Sequence, residues 1–210
     1  MEYHSGMKIV KILNRLYPNP VPTLIWHSPF EALIAVILSA QCTDKKVNLV
    51  THKLFQQANT PEKMLDLGQK HLARIIKPCG LFNTKSRNII ATCEILIKKF
   101  HSKIPQTQSE LESLAGVGQK TAQVILSQIW NKPAFPVDTH IHRVANRLGL
   151  CDAKTPEQTE KCLKKTFAQK YWHDLHLQMI FHGRGTCKAR KPLCEKCALK
   201  KLCTYYLGLN

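Results

Sequence analysis

The stretch Leu-Ala-Gly-Val-Gly-Gln-Lys-Thr-Ala at 114–122 limits the fold of this chain more than any other. Two glycines flank one valine (Gly116, Val117, Gly118) and separate two segments of helical spacing. Upstream, Thr107-Gln-Ser-Glu110 reads as a capping box opening a short helix that carries Leu111 and Leu114. Downstream, 120–129 places Ala122, Ile125 and Ile129 at helical intervals. The stretch predicts a helix, a tight hairpin and a second helix. Glycine admits positive φ and close backbone approach, so the hairpin can aim N–H groups outward. Such groups at a helix N-terminus form an anion site, and a DNA phosphate fits it. Gly116, Val117, Gly118 and Thr121 are the candidate contacts. Phosphate contacts position a protein and read no sequence.

Lys120 opens the second helix beside that site. It reads as a phosphate contact, as a solvated helix lysine, or as an amine nucleophile that forms a Schiff base with a sugar carbon. The local sequence leaves all three open. Asp138 lies eighteen residues further on, in Pro136-Val-Asp-Thr-His140, where it serves as the N-cap of a helix over 139–148. A carboxylate near a lysine and a bound backbone also suits positive charge developing on a deoxyribose.

Charge points the same way. Lys and Arg number 31 against 14 Asp and Glu, a formal +17, which predicts a polyanionic partner. The longest apolar run, 32–38, falls far short of the roughly 20 residues of a spanning helix, so no membrane role is expected. The first ten residues lack the apolar core and cleavage pattern of a signal peptide, and 1–6 reads as ragged.

Four of the nine cysteines, Cys187, Cys194, Cys197 and Cys203, have metal-ligand spacing, x6 then x2 then x5. Four thiolates suit a tetrahedral zinc or an iron–sulfur cluster, and spacing alone leaves both open. Bound metal would close a short loop that has little core of its own. Lys188, Arg190 and Lys191 lie between the first two ligands, either as a solvated basic loop or as a grip on phosphates. A disulfide framework is not expected, and a reducing interior is favoured. Cys42, Cys79, Cys93, Cys151 and Cys162 each read as a small buried hydrophobe. His173 and His176 share a helical face with no further ligand, and His140 and His142, either side of Ile141, cannot both face one partner.

The rest of the chain reads as helices. Ile9, Ile12, Leu13 and Leu16 mark an amphipathic helix over 7–16, and Pro18, Pro20 and Pro22 break it into a linker. Ser28-Pro29-Phe30-Glu31 starts a helix over 30–40 that is apolar on all sides and belongs at a domain centre. Gln41 follows it in an interhelical turn. Thr60-Pro61-Glu62 starts another short helix, and Leu72, Ile75 and Ile76 mark the next, which Pro78-Cys-Gly80 stops. Leu81-Phe82-Asn83 reads as a turn before a longer helix over 85–100. A second proline linker, 131–136, precedes the helix at 139, one from Thr155-Pro156, and one over 172–182. No segment alternates with period two, so the chain is all-α, with a domain boundary at each linker.

Taken together, LAGVGQKTA at 114–122, VDTHIHRV at 137–144, the cysteine spacing, SPFEALIAVILSAQCTD at 28–44 and GLFNTKS at 80–86 resemble the endonuclease III family of DNA glycosylases with abasic-site lyase activity. The resemblance runs from about residue 7 to Cys203. The chain departs from the family pattern at Ala115, usually proline, and at Cys42, often a small residue. The resemblance implies a helical domain at 23–132 holding the helix–hairpin–helix at about 107–128. It implies a second domain built from 1–22 and 133–210, with a [4Fe–4S] cluster on loop 187–203, and an active site in a cleft between the two. It implies Lys120 and Asp138 as catalytic residues, Gln41 filling the gap left by an extruded base, and Leu81 wedging into the stack. His140 would approach the lesion strand. The implied substrate is double-stranded DNA with oxidised pyrimidines or abasic sites, handled by a monomer in a cytoplasmic, nucleoid-associated setting. Two rival readings stand beside it. One is a monofunctional adenine or mismatched-thymine glycosylase of the same superfamily, whose members mostly lack a lysine at position 120. The other is a non-enzymatic iron–sulfur DNA-binding or redox-sensing protein.

Overall fold

Three of the helix starts share one device: a hydroxyl residue followed by proline, with glutamate one or two positions on. Ser28, Thr60 and Thr155 each accept the N–H three residues ahead, from Glu31 at 3.2 Å, Lys63 at 3.3 Å and Gln158 at 3.3 Å. Proline at the first helical position gives up no hydrogen bond there and presets φ. At the first start Glu31 also folds back, its carboxylate accepting the His27 N–H at 2.7 Å, so this buried acid is paired.

The computed structural model describes residues 3–209, with side chains from Gly6 onward. The helices are α1 (Tyr3–Leu16), α2 (Pro29–Ser39), α3 (Asp44–Phe55), α4 (Pro61–Leu67), α5 (Gln69–Ile76), α6 (Phe82–Phe100), α7 (Gln108–Glu112), α8 (Gln119–Gln128), α9 (Thr139–Arg147), α10 (Pro156–Thr166), α11 (Trp172–Gly185) and α12 (Thr204–Leu207). Among the described residues there is no strand. No described helix is long and apolar enough to cross a membrane.

The chain divides into two units, one of Pro22–Lys132 and one of the chain up to Val21 together with the chain from Pro133 on. In the first, every residue of α2 from Phe30 to Leu38 is buried. A helix without a polar face must be enclosed, and α3, α6 and α8 pack around it. In the second unit, Ile9 and Leu13 of α1 share one core with Phe135, Ile141 and Val144, Leu163, Leu175 and Met179. The two ends of the chain thus bury each other's apolar faces. Gly183 lets α11 lie close on α9: a Cβ there would stand 3.0 Å from His140 Cβ and 3.3 Å from Val144 Cγ2.

The structure departs from the sequence reading in several places: Cys42 is only partly buried, and the helix before the hairpin ends at Glu112, short of Leu114. The N-terminal segment is not ragged as far as Gly6, because α1 begins at Tyr3; Met1 and Glu2 lie outside the described residues. Phe82 and Asn83 are helical rather than a turn, because Leu81 takes a left-handed conformation (φ 47°, ψ 29°) and turns the chain in one residue. Cys151 and Cys162 are not two separate buried hydrophobes but a disulfide, with Cα atoms 6.1 Å apart. Packing of α10 on α9 brings Cys162 back to the loop that follows α9, a proximity that no local pattern encodes.

Because Leu33 is fully enclosed on α2, Leu33→Ala should destabilise the protein by about 2–5 kcal/mol, read as a shift of the urea unfolding midpoint.

Candidate nucleic-acid interface and metal centre

The hairpin is built as its two glycines require, but they do different work. Gly116 has φ 79°, and a Cβ on it would stand 2.8 Å from Asn88 Nδ2. Gly118 is extended (φ −92°, ψ 177°), and the space where its Cβ would be is open. It is the N-cap of α8, and no side chain caps that helix. The first N–H groups of α8 therefore have no helical partner, and such a helix start can seat an anion. Val117 is 5% exposed, and its N–H donates to the Leu114 carbonyl at 3.1 Å. Lys120 is exposed in the first turn of α8, and Thr121 beside it is half-buried.

Two further tips belong to the same unit. After α2, Ala40 (φ −56°, ψ 116°) and Gln41 (φ 54°) make a tight turn closed by the Cys42 N–H on the Ser39 carbonyl at 3.1 Å. These angles are those of a type II turn, whose third position favours glycine, so Gln41 is held in strained backbone with its side chain exposed. Leu81 is also left-handed and is 57% exposed, an apolar side chain held in solvent. Behind the two tips, Cys79 meets Cys42. Burial first, then that neighbouring thiol, pushes the Cys79 pKa up to about 11.

In the other unit, Asp138 caps α9. Its Oδ1 accepts the N–H groups of His140 at 2.9 Å and Ile141 at 2.8 Å, which fixes the carboxylate at the helix start. His140 is half-buried, and its Nδ1 meets Arg143 Nη2 at 3.2 Å. His142 turns instead to Thr159 Oγ1 at 2.7 Å, and His176 is buried with Nδ1 at 2.8 Å from the Pro136 carbonyl oxygen. The paired histidines are thus drawn into different contacts, and among the described residues no His, Cys, Asp or Glu group is drawn together tightly enough to hold a single metal ion.

Cys187, Cys194, Cys197 and Cys203 nevertheless line one cavity, with His182, Leu148, Tyr205 and Tyr206 among the other residues of its wall. The empty space is about 340 Å³, part of it open to solvent. Burial raises the Cys197 thiol, and the charges of Cys203, Cys187 and Cys194 raise it further against a lowering hydrogen bond from the Leu199 N–H. Four thiols lining one cavity are a donor set that fits an iron–sulfur cluster as well as a zinc ion. A lone tetrahedral zinc would require sulfurs all about 2.3 Å from one centre.

Sequence reasoning overlooked what holds this loop. Arg143 donates from Nε to the Cys187 carbonyl at 3.1 Å and from Nη2 to the Gly183 carbonyl at 2.8 Å. One turn on, Arg147 donates to the carbonyls of Lys188 at 2.7 Å and Ala189 at 3.1 Å, and its Nη1 lies 3.6 Å from Cys187 Sγ. The signal was there as two arginines four apart on α9. With the backbone so held, Lys188, Arg190 and Lys191 are all exposed, and Lys191 is left-handed (φ 50°).

Known proteins share this architecture. Residues 34–169 match the model of the HhH-GPD superfamily of base excision DNA repair proteins. Endonuclease III of Rickettsia conorii is 47% identical over 203 residues, spanning 97% of each chain. Endonuclease III of Escherichia coli K12 is 46% identical over 201 residues, spanning 94% of this chain and 95% of its own. A solved non-covalent endonuclease III–DNA complex superposes with a TM-score of 0.95 at 38% identity, covering 100% of this chain and 98% of that one. A trapped covalent endonuclease III–DNA intermediate gives 0.94, also at 38% identity, covering 100% and 99%. A thermostable thymine-DNA glycosylase gives 0.88 at 23% identity, a likeness of fold alone.

The cap at Asp138 has its own consequence. Asp138→Ala should cost about 1 kcal/mol in chemical denaturation, whereas Asp138→Asn, which can still accept both N–H groups, should cost close to nothing.

Proposed function

The chain belongs to the endonuclease III family of the HhH-GPD superfamily, and from that premise we propose that Lys120 is the amine nucleophile of its reaction and Asp138 the carboxylate that supports it. The protein is a DNA glycosylase and abasic-site lyase of base excision repair, and its partner is DNA. What remains to be assigned is which residues carry each step.

The reading rests chiefly on Lys120. It stands exposed in the first turn of α8, next to a helix N-terminus that no side chain caps. A phosphate seated on those N–H groups would bring the adjoining sugar within reach of the amine. The unprotonated Lys120 Nζ attacks C1′ of the damaged nucleotide, a C–N bond forms, and the glycosidic bond breaks as the base leaves. The sugar opens to a Schiff base with Nζ. Loss of a C2′ proton then expels the 3′ phosphate, and the strand breaks by β-elimination. The Asp138 carboxylate, held by its two cap hydrogen bonds, opposes the positive charge that builds on the sugar. Gln41 occupies the gap left by the extruded base and Leu81 wedges the stack, both from tips already strained into place. The assigned substrates are oxidised pyrimidines and abasic sites in duplex DNA, bound by a monomer, with His140 near the lesion strand.

Cys187, Cys194, Cys197 and Cys203 would hold a [4Fe–4S] cluster. When bound it ties four points of the 187–203 loop together, a structural contribution. Arg143 and Arg147 already pin that loop to α9, so Lys188, Arg190 and Lys191 are presented as a fixed basic surface to DNA phosphates.

Borohydride trapping on a duplex with one abasic site tests the nucleophile. A covalent adduct is expected with the wild-type protein and none with Lys120→Ala. An adduct of equal yield from Lys120→Ala would overturn the assignment. Binding without nicking by the wild type would leave a glycosylase or binding protein in which Lys120 contacts phosphate. Replacing Lys188, Arg190 and Lys191 with Ala should make the slope of log affinity against log salt shallower, by about 0.9 for each phosphate that these cations neutralise in the wild type.

A further inference from the structure

Lys85 is a lysine with almost no access to water, 5% exposed in the first turns of α6. Its ammonium has three donors and uses them on three carbonyls: Leu38 at 2.9 Å, Ala40 at 2.7 Å and Cys79 at 2.9 Å. Two of these acceptors close α2, whose last turn has no basic residue of its own. A cation is favoured there because helix C-terminal carbonyls are unpaired and partly negative. The third acceptor closes the turn before Gly80. Lys85 reaches Leu81 a second way, its own N–H donating to the Leu81 carbonyl at 2.9 Å.

The acceptors are placed to matter. Ala40 directly precedes Gln41, and Cys79 stands two residues before Leu81. Both tips have positive φ, 54° and 47°, in residues that rarely adopt it. Strained backbone persists only where surrounding contacts over-determine it. Neither tip is held by its own side chain, since both side chains are exposed. The Lys85 ammonium is bonded to the backbone beside both.

We propose that Lys85 is a positioning residue, setting the spacing and angle of the Gln41 and Leu81 tips so that both can enter the DNA stack at one lesion. The role rests on the reading of Gln41 and Leu81 given above. Lys85 touches no substrate. A buried ammonium joined to two loops keeps them from moving independently. Cutting its bonds releases the strain at each tip separately, so they no longer match one extruded nucleotide.

The test is a duplex carrying a lesion opposite 2-aminopurine, whose fluorescence rises when it loses its stacking partners. Lys85→Met keeps the length of the side chain and removes the charge and all three donors. Wild type, Lys85→Met, Lys85→Arg, Gln41→Ala and Leu81→Ala are compared in three readouts: binding to undamaged duplex, the fluorescence rise, and single-turnover excision. Misplacement of about 1 Å can cost on the order of 100-fold in rate, so Lys85→Met should lose excision on that scale. Its fluorescence rise should be small, while affinity for undamaged duplex stays within about twofold of wild type, because non-specific binding is set by phosphate contacts. Lys85→Arg keeps the charge in a planar, bulkier head and should fall between the two. A merely structural lysine would lower all three readouts together; that result in both Lys85 variants overturns the proposal. It is also overturned if Gln41→Ala and Leu81→Ala lose the fluorescence rise while the Lys85 variants keep it. If those two tip variants keep the rise, the assignment of the tips has failed instead. Should Lys85→Met not fold, Lys85→Arg decides by the same ratios.

Discussion

Helix α2 has no face to offer to water. Nine consecutive residues are buried, and two of the three helices packed on it, α6 and α8, come from distant parts of the sequence. Enclosing it brings α8, with the hairpin at its start, and α6, with Leu81 at its start, into one packed body. It also creates the problem that Lys85 solves. A fully buried helix must end somewhere, and its last carbonyls need a donor. Here the donor is a buried ammonium from α6, which binds the end of α2 to the turn before Leu81. Burial of apolar surface and placement of the two tips proposed to face DNA are therefore one constraint.

Polar groups throughout the molecule act as fasteners between backbone segments. Hydroxyls of Ser28, Thr60 and Thr155 start helices, Asp138 starts α9, and Arg143 and Arg147 tie α9 to the cysteine loop. A side chain bonded to backbone orients a whole segment, whereas a surface ion pair orients only two flexible ends. The chain's excess of cations then has somewhere to act. With 31 Lys and Arg against 14 acids, the formal charge of +17 suits a polyanionic partner.

Backbone strain is present at three of the proposed contacts, as it is at Asn19, His101, Ser102 and Asn131. Gln41, Leu81 and Lys191 are all left-handed without being glycine, and each is exposed. Such conformations cost about 1–2 kcal/mol each and survive only with support from neighbouring contacts. For Gln41 and Leu81 that support is Lys85. For Lys191 it is a loop fastened by two arginines and lined with thiols.

How much of this was legible in the sequence depends on the range of the interaction concerned. The helix starts, the two-glycine hairpin, the all-apolar α2 and the cysteine spacing are local patterns, because caps, turns and periodicity act over a few residues; they could be read directly, with helix ends off by a few positions. The motif resemblance was sufficient to name the family, because several short runs recur together over nearly the whole chain. Gln41, Leu81, Lys120 and Asp138 could be picked out, but not the geometry that holds them. Only the tertiary structure decided that Val117 turns inward, that Cys162 returns to Cys151, that Arg143 and Arg147 grip a loop some forty residues away, and that Lys85 caps a helix that ends 46 residues earlier in the chain. Apart from the inward turn of Val117, these are contacts between residues separated in the chain by 11 positions or more. Their partners are chosen by how α2 and the shared core of the two chain ends are enclosed, and no local pattern carries that information.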